Sequence, residues 1–363
     1  MSTYESNLKK IILILSVFLV ALILYLTHKM SGFLIPIFLA FFTALLFQPL
    51  LKKLEKTKIP SWISTILVIL LSISLLTAFL FILISSLQNF LDDFPVLTNT
   101  IQTKIIEIIS NISELEFIKI FGGEQKLKNL IFEFFAKINF GAYMISTINK
   151  TLGILKNFFL YIFALIFIMP GINKISYRIS KAFPENSLKI NKIIINITEQ
   201  IQRYIVVKSI ISFITGVLTF LVCFIFGVKY SLLWGLFAFL LNYIPYIGSI
   251  IAVFLPVLLA FVQFPTIVKP LLILTFLIVI QNILGNLLEP KFQSQGSNLS
   301  SIVIFTSLLV WGYIWGIAGI FLAVPIMSAF NVVCQNIEIL KPVTYLISAR
   351  HKKKKKNLNF KKI

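Results

Sequence analysis

The long apolar block from Ser209 to Phe330 constrains this chain most, because it is interrupted twice in a similar way. The interruptions are Asn242-Tyr-Ile-Pro-Tyr-Ile-Gly248 and Trp311-Gly-Tyr-Ile-Trp-Gly-Ile-Ala-Gly319. Each lies within about 30 apolar residues and leaves halves shorter than the roughly 20 residues that a spanning helix needs. Broken helices persist at membrane depth only where protein or a watery cavity satisfies the freed backbone groups. The block therefore predicts two helical hairpins within a membrane.

The composition excludes an ordinary soluble domain, since 58% of the residues are hydrophobic and 36 are Phe. The formal net charge of +20 includes the run His351-Lys-Lys-Lys-Lys-Lys356. We interpret this run as a cytoplasmic flank that meets anionic lipid headgroups, rather than as a nucleic-acid tail. Two Cys and two distant His residues indicate neither a disulfide framework nor a metal site. No phosphate-binding loop and no nucleophile–base pair is found, so the sequence predicts no catalytic residues, no enzyme activity and no cofactor.

The predicted fold is an all-α polytopic membrane protein with about six full spans and two hairpins. The predicted spans are Ile11–Leu26, which we interpret as an uncleaved first helix, and Phe33–Phe47, Trp62–Leu87, Leu152–Met169, Ser209–Phe226 and Leu271–Leu288. The hairpins are Ser231–Phe264 and Ile302–Phe330. By segment, the chain divides into membrane helices (1–87), an external part (88–151), a fourth span with a cytoplasmic helix (152–208), a transport core (209–330) and a basic tail (331–363).

The charges between the segments predict the orientation. Lys9 and Lys10 precede the first span, and Gly171–Lys208 holds seven basic residues against two acids, so both should be cytoplasmic. Gln88–Lys150 is nearly balanced, with seven acids and six lysines, and should be external. Its apolar residues recur at helical spacing, which favours an amphipathic helical cap over a ligand-binding domain. The stretch Ser187–Lys208 is predicted to be a second, cytoplasmic amphipathic helix.

This orientation makes the core an inverted repeat. A span and a hairpin that enters from outside are followed by a span and a hairpin that enters from inside, which also keeps the lysine-rich tail cytoplasmic. Weak sequence echoes accompany the topology: Ser231 and Pro256 recur as Ser300 and Pro325, each 69 positions later, and Tyr243-Ile244 recurs 70 positions later.

The candidate solute or ion pathway centres on Gln281-Asn-Ile-Leu-Gly-Asn-Leu-Leu-Glu-Pro-Lys291. On an α-helix, Asn282, Asn286 and Glu289 share one face, beside Gln281 and the hinge candidate Gly285. These groups could coordinate a polar solute or a cation, or carry a proton. The alternative is that Glu289 and Lys291 only anchor the end of a span at the interface.

The hairpin turns supply further candidates. Asn242 and Tyr246 have polar atoms that could reach a substrate, while Pro245 and Gly248 shape the first turn. In the second hairpin Gly312, Gly316 and Gly319 loosen the helix at its middle. Trp311 and Trp315 flank these glycines and could gate, or only pack.

The chain resembles the autoinducer-2 exporter family, also called PerM-type permeases. The resemblance rests on the first turn, on the 281–291 segment, and on three further elements: Leu309-Val-Trp-Gly312, Gly319-Ile-Phe-Leu-Ala-Val-Pro325 and the early Pro36…Phe47-Gln-Pro49. It implies a multi-pass bacterial inner-membrane transporter that forms a homo-oligomer. The charge bias described above predicts that both of its termini are cytoplasmic. Some members export autoinducer-2 and others exchange sodium or lithium for protons, so the resemblance leaves the solute open.

Together these observations favour a secondary transporter for a small polar solute such as autoinducer-2, or for a monovalent cation. In that hypothesis Glu289 is the group that carries the proton or cation. A sodium or lithium/proton antiporter is the first alternative. A membrane scaffold or receptor without transport, in which the external segment is the working part, and a passive channel are the others.

Overall fold

The computed structural model describes residues 3–111, 157–172, 187–293 and 299–348, with a few isolated positions between these ranges. The described part is almost entirely helical, and its only β-type contact is one antiparallel bridge between Leu299 and Ser348. In chain order the helices are α1 (Thr3–Lys29), α2 (Ser31–Glu55), α3 (Ser61–Asp92), α4 (Phe94–Asn111), α5 (Asn157–Ile172), α6 (Ser187–Ile225), α7 (Ser231–Leu241), α8 (Ile247–Gln263), α9 (Val268–Gln281), a π-helix (Asn282–Leu288), α10 (Glu289–Gln293), α11 (Ser301–Asn336), a 3-10 turn (Glu338–Leu340) and α12 (Lys341–Ile347).

Within the described ranges, six stretches of helix are long and apolar enough to cross a membrane. They lie at Lys10–Lys29, Ser31–Glu55, Ser61–Asp92, Ile190–Ile225, Val268–Phe292 and Ser301–Asn336. Large apolar side chains such as Phe81 and Phe163 are mostly exposed, which is the pattern expected for helices that face lipid. The chain is therefore an all-α polytopic membrane protein, and the predicted fold class is confirmed.

Helix α6 differs from the expectation of a cytoplasmic amphipathic helix followed by a separate span. The structure joins the two into one helix of 39 residues, which is about 58 Å long at 1.5 Å per residue. No Pro or Gly lies between Ser187 and Thr215, so the local sequence contains no helix breaker between the two predicted parts.

The helices form two compact units. One contains Met1–Ile35, Gly171–Val207 and Pro290–Ile363, and the other contains Pro36–Pro170 and Lys208–Glu289. Each unit contains one of the two predicted hairpins. We call the unit with α7 and α8 the ion-pair unit, for a contact described below, and the unit with α11 the tail unit.

In the ion-pair unit the first hairpin consists of α7, a turn and α8. The two ends of this hairpin lie together, because the Gln263 side chain accepts a hydrogen bond from the Lys229 amide (2.9 Å) and donates one to the Gly227 carbonyl (2.6 Å). The Lys104 ammonium on α4 donates to the carbonyl of Phe264, just beyond α8, at 2.8 Å. The hairpin therefore enters and leaves at the end of α6 that precedes α7.

Tyr230 marks the same end of the ion-pair unit. Its hydroxyl donates a hydrogen bond to Asp93, which follows the last residue of α3. Burial raises the pKa of Tyr230, and the hydrogen bond and negative charge of Asp93 raise this pKa further. Tyr230 and Asp93 thus fasten the last turn of α3 to the start of the first hairpin.

In the tail unit α11 is the second hairpin and not a straight span. The Ser307 hydroxyl lies 3.3 Å from the Ala323 carbonyl oxygen, 16 residues away, whereas a straight helix would separate these residues by about 24 Å. The fold-back occurs at Gly316, whose φ of 62° and ψ of −141° are open to Gly but strained for other residues. The start of this hairpin also contacts the end of α12, where the Ser300 amide donates to the Ile347 carbonyl at 2.9 Å.

The two turns share local geometry at the spacing that the sequence echoes predict. The positive-φ residues inside the turns are Tyr246 and Gly316, which are 70 positions apart. A Cβ added to Gly248 would lie 1.8 Å from the carbonyl oxygen of Leu241, and one added to Gly319 would lie 1.8 Å from that of Trp311. Equivalent close approaches of backbone to backbone indicate that the two hairpins are related units.

The external segment is described only up to residue 111. Within that part, α4 is packed into the ion-pair unit, since Leu97 belongs to the apolar core of this unit with Cys223, Trp234 and Ile273. The remaining predicted external residues lie outside the described ranges, apart from isolated positions. The same is true of the lysine-rich tail beyond Ser348.

Candidate functional site

A buried ion pair joins α6 to the end of the π-helix. The Lys208 ammonium donates to both oxygens of Glu289, with Nζ 2.7 Å from Oε1 and 2.9 Å from Oε2. The Lys208 side chain is 6% exposed and the Glu289 side chain 17% exposed. Charges in the interior of a membrane protein are rare and are most often functional.

The sequence contains the signal for this pair, although the predictions above did not include Lys208. Lys208 immediately precedes the apolar run that begins at Ser209, and Glu289 immediately follows the run that ends at Leu288. The predicted orientation makes these two spans antiparallel, so both charges belong to the cytoplasmic end of their spans. Opposite charges at the same depth would lower each other's desolvation cost by pairing.

The segment that precedes Glu289 is a π-helix from Asn282 to Leu288 rather than the α-helix on which the predicted shared face depended. The Glu289 amide donates to the Leu284 carbonyl, five residues earlier, so the segment has more residues per turn than an α-helix. Asn282 and Asn286 still contact each other, with a side-chain hydrogen bond of 2.9 Å, and both are exposed. Single π-helical turns occur frequently at functional sites.

Two other predicted positions lie in this segment. Gln281 is half-buried in the last turn of α9. Gly285 lies inside the π-helix, and a Cβ added there would meet no other atom within 4 Å. Gly285 is therefore not needed for close packing, which leaves a hinge as the role that the sequence predicts for it.

The turn of the first hairpin is fastened to the turn of α6 that begins with Lys208. The buried Asn242 amide donates to the Ser212 hydroxyl at 2.9 Å, and the Tyr243 hydroxyl donates to the Ser209 hydroxyl at 2.8 Å. Residues 208 to 212 of α6 thus contact both Glu289 and the hairpin turn. Of these groups the sequence predicted Asn242 and Glu289, and missed Lys208, Ser209, Ser212 and Tyr243.

Tyr246 holds the hairpin turn in a strained backbone conformation. It has φ 62° and ψ −62°, and the Ile247 amide donates to the Pro245 carbonyl at 2.7 Å across it. These values define a γ-turn with positive φ, which is rare and strained for a residue other than Gly. Gly248 follows against the Leu241 carbonyl, where a side chain does not fit. The turn therefore has one fixed shape.

Polar side chains continue from Lys208 along one face of α6. Ser212, Thr215 and Thr219 follow at spacings of four, seven and eleven residues, and each is at most 1% exposed. The Thr215 hydroxyl donates to the Ile211 carbonyl of its own helix, as buried Ser and Thr residues do in apolar surroundings. The ion pair thus lies at one end of a buried polar face.

In the tail unit, the turn of the second hairpin rests on the end of α1. His28 Nδ1 lies 2.7 Å from the Ile314 carbonyl oxygen, and the Trp315 indole donates to the Thr27 carbonyl at 2.9 Å. The His28 ring also stacks on Tyr313. The sequence assigned no role to His28, because its partner lies 286 residues away. The contacts of Trp315 support packing at this turn.

Gly312 is the remaining predicted hinge. A Cβ added to it would lie 3.0 Å from the Ile320 side chain, so the two halves of the second hairpin are closely packed there. Among the described residues no three His, Cys, Asp or Glu side chains are grouped as metal ligands.

Known proteins with similar sequences are named as transport proteins or putative transport proteins. A family model described as "AI-2E family transporter" matches residues 12–339. A "Putative transport protein" of Haemophilus influenzae is 28% identical over 315 residues, which is 83% of this chain and 86% of that protein. A protein of the same description from Borreliella burgdorferi is 30% identical over 210 residues, and the alignment spans 56% of this chain and 58% of that protein. The "AI-2 transport protein TqsA" of Escherichia coli is 34% identical over 154 residues, 42% of this chain and 44% of that protein.

Proposed function

This chain belongs to the AI-2E family of transporters, and we propose that it is a secondary transporter that moves a small polar solute across the bacterial inner membrane by using an ion gradient. The observation that carries the proposal is the Lys208–Glu289 pair, which is formed on the same turn of α6 that holds the turn of the first hairpin. A change in the charge of Glu289 would therefore act on the turn of α6 that holds the turn of the first hairpin.

The energetics of the pair suit a coupling device. Removing the charge of one partner leaves the other buried without its counter-ion, at a cost of about 3–5 kcal/mol. Two conformations of a transporter differ by only a few kcal/mol. Protonation of Glu289 would therefore be sufficient to shift the equilibrium of the first hairpin between a closed and an open arrangement.

Autoinducer-2 is the first solute to test, because one relative is named an AI-2 transport protein. That relative aligns with less than half of this chain. Sodium and lithium are the second class, since a carboxylate at the end of a π-helix could also accept a cation. We expect both termini to be cytoplasmic, from the positive residues that flank the first span and end the chain.

The test is flux in proteoliposomes that contain the purified full-length chain and an internal pH indicator. Gradients of autoinducer-2, sodium and lithium are imposed in turn. We expect one gradient to drive proton movement, and Glu289→Gln to abolish this movement because the amide cannot exchange a proton. Asp92→Asn is the matched control, since Asp92 is an exposed carboxylate at the end of α3.

Folded protein that moves no protons under any of these gradients would contradict the coupling, and solute flux that persists in Glu289→Gln would indicate a passive channel. A scaffold without transport predicts instead that removal of the external segment abolishes a binding partner. Such a deletion has to begin after residue 111, because Leu97 and Lys104 are built into the ion-pair unit.

A further inference from the structure

We propose that the connection between α2 and α3 is a binding surface for anionic phospholipid headgroups. We call it the basic turn; it consists of residues 52–62 and runs from the last turn of α2 to the first turn of α3. Its sequence is Lys-Lys-Leu-Glu-Lys-Thr-Lys-Ile-Pro-Ser-Trp. The inference goes beyond the proposed function, because it assigns a partner to a surface outside the candidate transport site.

The basic turn has a large positive charge for its length. It contains four lysines and one acid, Glu55, so its formal net charge is +3 whichever group Glu55 contacts. All four lysines are exposed: Lys52, Lys53, Lys56 and Lys58. Such an excess of lysine predicts the cytoplasmic side of the membrane. Each basic residue beside an anionic membrane surface strengthens the attraction by about fivefold.

The lysines are held close to two membrane-spanning helices. Helix α2 ends at Glu55 and α3 begins at Ser61, and both belong to stretches long and apolar enough to cross a membrane. Between them, the amide and the hydroxyl of Thr57 both donate to the Leu54 carbonyl, at 3.0 and 2.6 Å. The chain therefore turns directly from one helix into the next, which places the ammonium groups at the depth of the headgroups.

Trp62 marks the boundary between headgroups and acyl chains. Its side chain is 67% exposed, and Ile66 and Leu70 follow it on the same face of α3 at 47% and 58% exposed. Ser64 and Val68 are buried, so a different face of α3 is turned towards the protein. An indole at the end of a lipid-facing apolar face is characteristic of the membrane interface, and the lysines precede it in the chain.

A phospholipid matches both parts of this surface at once. Its phosphate oxygens can accept charge-assisted hydrogen bonds from the lysine ammonium groups, while its acyl chains contact the face of α3 that includes Ile66 and Leu70. A soluble acidic protein would match the lysines alone. The net charge of +3 selects a headgroup with a net negative charge, such as phosphatidylglycerol, over a zwitterionic one such as phosphatidylcholine.

The test measures which lipid lies beside Trp62, in proteoliposomes of the purified full-length chain. Bromine on the acyl chains quenches tryptophan fluorescence on contact, and the Trp62 signal is the fluorescence of each protein minus that of the same protein carrying Trp62→Phe. Brominated phosphatidylglycerol or brominated phosphatidylcholine is added as a minor component of phosphatidylcholine bilayers. We expect phosphatidylglycerol to occupy the site beside Trp62 about fivefold more often than phosphatidylcholine at equal mole fraction.

Two variants assign the preference to the basic turn. It should fall to about one when all four lysines become Gln, in Lys52→Gln/Lys53→Gln/Lys56→Gln/Lys58→Gln. These side chains are exposed, so the helices should form as before, which far-UV circular dichroism checks. The matched control is Lys229→Gln/Lys269→Gln, which removes two exposed lysines elsewhere in the ion-pair unit and should keep the preference.

Three outcomes would overturn the proposal. The first is equal quenching of wild-type Trp62 by the two brominated lipids. The second is a preference that persists in the quadruple variant, which would assign the anionic lipid to the lysine-rich tail. The third is an equal loss in the control variant, which would reflect only the net charge of the protein. Because no flux is measured, a lipid preference without transport would contradict the proposed function and leave this surface in place.

Discussion

Replacing Lys208 alone should destabilise the protein more than replacing Lys208 together with Glu289. In Lys208→Met the aliphatic chain of Met fills the space, but the carboxylate of Glu289 loses an ammonium that donates to both of its oxygens. In Lys208→Met/Glu289→Gln no charge remains, and the site holds two groups of nearly the original volume.

The magnitude follows from the burial of the pair. Removal of one partner of a buried pair costs about 3–5 kcal/mol. We expect the lower end for Lys208→Met, about 3 kcal/mol, since the remaining Glu289 is 17% exposed and is partly hydrated. The double variant should lose less than the sum of the two single variants by about 2 kcal/mol, the range found for residues in direct contact.

The assay is a double-mutant cycle on the free energy of unfolding, measured by denaturant titration of the full chain in detergent micelles and followed by tryptophan fluorescence. Lys269→Met and Asp92→Asn form the reference cycle, because both residues are exposed. A coupling energy for Lys208 and Glu289 below about 0.5 kcal/mol, no larger than ordinary additivity error, would refute the reasoning that the pair is buried and energetically linked.

Three further predictions test the surroundings of the site. Gly248→Ala should lower the unfolding free energy by about 3 kcal/mol or more, because the added Cβ would lie 1.8 Å from a carbonyl oxygen. The matched variant Gly285→Ala should change it by about 1 kcal/mol or less, because a Cβ there meets no atom within 4 Å. Thermal unfolding compares the two variants. Asn242→Leu should lower the unfolding free energy by about 1–3 kcal/mol, because the buried Ser212 hydroxyl loses its hydrogen-bond partner. It should also loosen the first hairpin, which amide hydrogen exchange would report as faster exchange confined to the turn. Unchanged exchange would contradict the anchoring role of Asn242. Asp93→Asn should lower the pKa of Tyr230, since the negative charge that opposes ionisation of the hydroxyl is removed. The ionisation of Tyr230 is measured in an alkaline titration as the absorbance of each protein minus that of the same protein carrying Tyr230→Phe. An unchanged titration in Asp93→Asn would contradict the contact.

The sequence determined the class of the fold, the two hairpins and the family. These follow from patterns that are local in the chain: apolar runs of fixed length, breaks rich in Gly and Pro, and a charge bias between segments. Lipid surroundings make these patterns decisive, because an unsatisfied backbone group in hydrocarbon costs several kcal/mol. The position of the turn between Asn242 and Gly248 was predictable for this reason, and so was the fold-back near Gly316.

The pairing of groups across the fold was decided only by the tertiary structure. Lys208 and Glu289 are 81 residues apart, and His28 and Ile314 are 286 apart. The charge pattern predicts that Lys208 and Glu289 lie at the same end of their spans, but whether the two side chains meet depends on which helix faces which. The π-helix is a similar case, since the extra residue per turn between Asn282 and Leu288 depends on hydrogen bonds that composition does not reveal. Periodicity therefore fixed the elements of this protein, and packing selected which of their polar groups meet.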